Sequence, residues 1–73
     1  MNKEDNKILN SSLSPRELEL LSVLNKGYCF KQSANIMGVK ETTAKTLAYR
    51  AYKKLGVTNL QSALYEIRNQ NLI

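Results

Sequence analysis

Histidine and tryptophan are absent from these 73 residues, and cysteine and proline occur once each. With no histidine and with Cys29 alone, neither a protein-only zinc site nor a disulfide framework can organise the fold. The same lack argues against an enzyme, because general acid–base and nucleophilic catalysis draw on His, Cys or paired carboxylates gathered in a cleft. Cys29 lies between Tyr28 and Phe30, and that setting reads as packing, so a structural role is expected for it. Long apolar runs are missing too. None approaches the roughly 20 residues that cross a bilayer, and "MNKEDNKILNSS" lacks the apolar core of a signal peptide. The expected setting is reducing and cytoplasmic, with no membrane and no cofactor.

What is present is a hydrophobic fraction of 42% and a net charge of +5. The first suits one small folded domain and not a disordered tail. The second is concentrated. Residues 31–54 hold Lys31, Lys40, Lys45, Arg50, Lys53 and Lys54 against Glu41 alone, which amounts to the whole net charge. A positive field of that density suggests a polyanionic partner. The competing reading is a solvated lysine-rich face.

Residues 1–12 are polar apart from Ile8 and Leu9 and read as a flexible arm; residues 13–73 read as the domain. "LSPRELELLSVLNKG" carries a full set of helix-start signals. Ser14 can cap, Pro15 suits the first helical position, Glu17 completes a capping box, and Leu13 and Leu18 are spaced as a hydrophobic staple. Leu20, Leu21, Val23 and Leu24 supply the buried stripe, and Gly27 is placed to end the helix in a left-handed turn. A short second helix is expected over about Lys31 to Met37, with a modest apolar face of Ala34, Ile36 and Met37 that Ser33 interrupts. Gly38 breaks it and Val39 tucks inward. A third helix runs from about Glu41 to Leu55 and stops at Gly56. The fourth starts near Asn59, with Thr58 as cap and Gln61 three residues on, and its stripe is Leu60, Ala63, Leu64 and Ile67. Its polar end is expected to fray toward "RNQNLI". Four helices without a strand signal make an all-α domain.

The third helix is unusual. At about 100° per residue, Ala44, Ala48, Ala51 and Leu55 fall on one side. Thr42, Lys45, Thr46, Tyr49 and Lys53 fall on the other, flanked by Arg50 and Lys54. Alanines let neighbouring backbones come close, so this helix can be seated while one whole face stays free. A face with cationic and hydrogen-bonding side chains suits the B-DNA major groove, about 12 Å wide. A short helix, a glycine turn and then this helix give a helix-turn-helix arrangement. A membrane-surface helix would need Leu, Phe or Trp opposite its lysines, and here the opposite side is mainly alanine.

The segment from Leu13 to Leu64 resembles the LuxR-type, or GerE-type, helix-turn-helix domain of bacterial transcription regulators. "LSPRELELL", Gly27, Lys31 and Ala34, the Thr-x-Lys of Thr43 and Lys45, "KKLGV" at Lys53 to Val57, and Ala63 all match its pattern without a gap. The sequence departs from the pattern at Ser33, where isoleucine is frequent, at Lys40, where Ser or Thr usually caps the third helix, at Leu47, where histidine is common, and at Ala44, where valine is. Tyr49 and Tyr52 are expected to fill part of the lost volume.

The resemblance implies a four-helix fold and sequence-specific binding to double-stranded DNA in transcription regulation, close to the nucleoid. It puts Lys45, Thr46 and Tyr49 at base-facing positions, beside Thr42 on the same outer side. Lys31 and Thr43 fall at sugar–phosphate positions, with Arg50, Lys53 and Lys54 adding phosphate contacts; Lys54 is turned furthest from the centre of the face. For Tyr49 the competing reading is an exposed ring lying over neighbouring aliphatic stems. The fourth helix pairs two domains in this family, which implies a homodimer through Leu60, Leu64, Tyr65 and Ile67. The alternative for those residues is that they complete the core of a single domain. Taken as a whole protein, 73 residues leave no room for a receiver or ligand-sensing domain, so a stand-alone regulator is expected. A second function stays open: a protein-binding helix-turn-helix module acting on another regulator or on RNA polymerase, with Leu47 as its apolar anchor.

Overall fold

Four helices make up the described part of the chain. In the computed structural model, which describes residues 13–73, they are α1 (Pro15–Asn25), α2 (Phe30–Met37), α3 (Glu41–Leu55) and α4 (Leu60–Asn69). There is no strand among the described residues, so the all-α architecture is the observed one. The expected arm at 1–12 lies outside the described residues.

α1 begins as its sequence directs. The Ser14 hydroxyl accepts from the Glu17 amide at 3.0 Å, and the Glu17 carboxylate accepts from the Ser14 amide at 2.9 Å, with Pro15 opening the helix. Each bond satisfies an amide that the first turn would otherwise leave without a partner. Leu13 is buried and Leu18 packs against the core. The turn after α1 passes through Gly27 at φ 103°. α2 starts one residue earlier than expected, at Phe30, because the Gln32 side chain reaches back to accept from the Cys29 amide at 2.9 Å. Cys29 itself is exposed, which corrects the packing role expected for it. A residue at a cap position projects beyond the helix and gains little cover from it.

α2 and α3 end alike. Gly38 and Gly56 take left-handed conformations at φ 73° and 74°. The amide of the next valine then returns to the last turn, Val39 to Ala34 and Val57 to Tyr52, both at 2.9 Å. Each valine packs against the core behind its turn. The chain end repeats the device. Asn71 is left-handed at φ 59°, the Leu72 amide reaches the Ile67 carbonyl at 2.8 Å, and Leu72 joins the core. The expected fraying toward the C-terminus is therefore corrected: an asparagine tolerates the left-handed region, and it turns Leu72 inward.

α3 is the central element, packed against α1, α2 and α4, while α1 also touches α2 and α4. Ala44, Ala48 and Ala51 are fully buried, and Ala63 of α4 is too. Leu20, Leu21 and Ile67 provide the bulk around these small side chains. α4 is capped by Asn59, whose side chain accepts from the Ser62 amide at 2.9 Å. Thr58 does not take the part expected of it, since asparagine is the better cap and stands one residue closer to the helix.

Candidate nucleic-acid interface

The buried side of α3 consists of Ala44, Ala48, Ala51 and Tyr52. Thr42, Thr43, Lys45, Thr46, Tyr49, Arg50 and Lys53 are all exposed. Thr42, Lys45, Thr46, Tyr49 and Lys53 thus form one open ridge along the helix. The residues opposite are too small to lift α3 off its neighbours, and the ridge follows from that seating.

Local bonds orient the ridge. The Thr46 hydroxyl donates to the Thr42 carbonyl at 3.1 Å, which uses up its proton and turns its methyl and lone pairs outward. Lys45 stands 3.6 Å from the Glu41 carboxylate one turn earlier. The Tyr49 ring is 60% exposed and tilts at 60° to Tyr52, with centroids 5.9 Å apart. Tyr49 therefore rises from the ridge, and of the two tyrosines expected to fill the lost volume only Tyr52 is buried. Burial, then the neighbouring Tyr49, pushes the Tyr52 phenol above its ordinary 10.0. Lys31 stands exposed on α2 and lines an open cleft with Glu41 at the head of α3, so the turn brings it to the same end as the ridge.

Lys54 belongs elsewhere. Its ammonium holds both carboxylate oxygens of Glu17, at 2.9 and 3.2 Å. Glu17 is only 3% exposed. Burial raises its pKa, but the Ser14 amide and then the Lys54 ammonium outweigh burial and hold it below its ordinary 4.5. Lys54, expected among the phosphate contacts, thus uses its charge within the domain, where it clamps α3 to the start of α1. Its outlying angle on the wheel was the available signal, together with the capping glutamate of α1.

The residues expected at a dimer surface separate in the same way. Leu64 and Ile67 are buried within the domain and Leu60 packs against its core. Leu64 and Ile67 thus serve the core of the single domain, the alternative given for them, while Leu60 is only partly buried. Tyr65 is 58% exposed and stays on the outer face of α4. Leu47 is partly buried against the core, which leaves less of it free as the apolar anchor of the protein-binding reading. Ile36, expected on the inner face of α2, is exposed. Sequence reasoning also missed the Arg16 guanidinium, which donates to the Met37 carbonyl at 3.1 Å and ties α1 to the end of α2.

No helix of the described residues is long and apolar enough to cross a membrane, and no group of His, Cys, Asp and Glu among them could hold a metal ion. The profile of the luxR family of bacterial regulatory proteins, GerE, matches residues 11–66. The transcriptional activator protein CarR of Pectobacterium carotovorum subsp. carotovorum is 35% identical over 63 residues, which cover 86% of this chain and 26% of CarR. The HTH-type transcriptional regulator MalT of Yersinia pestis (strain Pestoides F) is 39% identical over 59 residues, covering 81% of this chain and 6% of MalT. MalT of Yersinia pseudotuberculosis serotype O:1b (strain IP 31758) matches to the same extent. The chain thus spans about a quarter of CarR and a much smaller part of MalT. No solved structure matches it significantly. The family match covers most of the chain and spans the described helices up to the middle of α4: the chain belongs to the luxR family of bacterial regulatory proteins.

Proposed function

We propose that this chain is a DNA-binding transcription regulator that lays α3 in the major groove of a duplex. The observation that carries the reading is the open ridge of Thr42, Lys45, Thr46, Tyr49 and Lys53 over a wall of buried alanines. Lys45 donates to guanine O6 and N7, the outward Thr46 methyl meets a thymine methyl, and Thr42 and Tyr49 meet base edges on either side. Lys31, Thr43, Arg50 and Lys53 hold the sugar–phosphate backbone and set the register. Two copies bind half-sites about one helical turn apart, meeting through the outer face of α4 around Tyr65.

Fluorescence anisotropy on duplex DNA across salt concentrations tests the reading. Three cationic phosphate contacts per domain, Lys31, Arg50 and Lys53, give a slope of log affinity on log salt of about −3 for one bound domain and about −5 for two copies on one duplex, at about 0.9 per phosphate. Lys53→Ala weakens all duplexes alike. Lys45→Ala lowers discrimination between sites by about 1–3 kcal/mol. A flat salt response, or no binding at low salt, rejects the proposal. In the dimer, Tyr65→Asp separates cooperative from single-domain binding; equal cooperativity in the variant rejects that contact.

A further inference from the structure

Glu41 is the sole acidic residue between positions 31 and 54, and it stands at the head of the ridge. Its carboxylate lies 3.6 Å from the Lys45 ammonium, and both side chains are about half exposed. It also lines the open cleft of about 520 Å³ that it shares with Lys31, Gln32, Ala34, Asn35 and Val39. A phosphodiester strand held by Lys31, as the DNA-binding reading has it, would pass the cleft that Lys31 shares with this carboxylate. A negative charge here opposes every duplex alike unless something on particular duplexes compensates for it.

The compensation lies in the pair itself. An exposed pair one helical turn apart is weak and exchanges readily for better partners. Guanine O6 and N7 offer Lys45 two fixed acceptors, and cytosine N4 offers the carboxylate a donor. On a matched sequence both ends of the pair find partners. On other sequences, freeing Lys45 for a phosphate leaves the carboxylate unpaired among phosphates, so the lysine charge stays cancelled. We infer that Glu41 is a specificity-determining residue that withholds Lys45 from the phosphate backbone and releases it to a matched base. The inference rests on the DNA-binding reading above. Glu41 also sits in the first turn of α3, where a carboxylate favours the helix N-terminus; that structural part leaves the salt dependence of binding unchanged.

Anisotropy titrations of the full chain over a range of salt distinguish the two parts. They use a random-sequence duplex and a duplex that the wild type selects from a random pool. Glu41→Gln is expected to bind the random duplex about 3–10-fold tighter with a slope steeper by about 1, the signature of one added phosphate contact. The selected duplex gains less, so the preference between the two shrinks. In a Lys45→Ala background the same change leaves the slope as it was. Unchanged affinity and slope on the random duplex, equal gains on both duplexes, or the same steepening without Lys45 would each overturn the inference. If Glu41→Gln melts at the working temperature, Glu41→Ala, a stronger helix former that also removes the carboxylate, replaces it and carries the same expected and overturning outcomes. Wild type that binds neither duplex removes the DNA reading itself. Wild type that binds both steeply, with the variant indistinguishable from it, removes only the part given to Glu41.

Discussion

Ser33 is fully buried on α2, and its hydroxyl meets no partner among the described residues. A hydroxyl taken from water without a replacement bond costs about 1–3 kcal/mol. Ser33→Ala removes that cost and adds a little helix propensity, at the expense of a small void. The expected net is a gain of about 1 kcal/mol, or about 4–8 °C in Tm for a domain of this size. Thermal unfolding followed by circular dichroism checks it, and a variant no more stable than the wild type shows that the hydroxyl is satisfied in solution. Sequence alone located this residue on a helix face but not its depth. The interruption it makes in the apolar stripe read as a weak face, whereas α2 packs against both α1 and α3 and leaves Ser33 no exposure. Lys40 is a parallel case: it caps α3 without a side-chain bond, as its departure from the family pattern implied, at a cost of about 0.5–2 kcal/mol relative to Ser or Thr.

At the scale of elements, most of the design was legible. The capping box of α1, the stops at Gly27, Gly38 and Gly56, and the two sides of α3 all rest on interactions within a few residues of one another. Such interactions can be read directly from spacing. The misjudged features depend on what a distant segment covers. The stripe of α4 was readable, but a wheel does not say which neighbour occupies it. The small side chains of α3 decide the matter, because they leave space that Leu64 and Ile67 fill. The ending at Asn71 escaped notice because asparagine is a less emphatic left-handed signal than glycine. The alanine wall gives a test of the seating argument. Ala48 is fully buried, and Ala48→Leu forces three added carbons into a closed seam, at a cost of about 1–3 kcal/mol. Lys53→Ala on the open side stays within about 0.5 kcal/mol of wild type. Urea unfolding of the two variants measures the contrast, and equal stability would mean that the alanines do not set how closely α3 is held.

Across the whole molecule, the grip of Lys54 on Glu17 joins the last turn of α3 to the first turn of α1, 37 residues apart in sequence. Small domains are marginally stable, so one such clamp is a sizeable fraction of the total. The folded-state pKa of Glu17 is lowered. The stabilisation linked to its ionisation is therefore fully present above its unfolded value, ordinarily 4.5, and is lost as pH falls through the lower folded value. Removing one partner of a fully buried pair costs about 3–5 kcal/mol. The Lys54 side chain is 37% exposed, so water screens part of this interaction, and Glu17→Gln is expected to cost about 1–2 kcal/mol at pH 7. Its amide oxygen still accepts from the Ser14 amide, so the cap survives while the charge is lost. The wild type then loses stability steadily below pH 4.5 and the variant declines less, so that the two converge in acid. Melting curves between about pH 3 and pH 7 decide it. Parallel curves for the two proteins would show that the carboxylate is not held ionised by the fold, and Lys54 would again be free to join the phosphate contacts of the ridge.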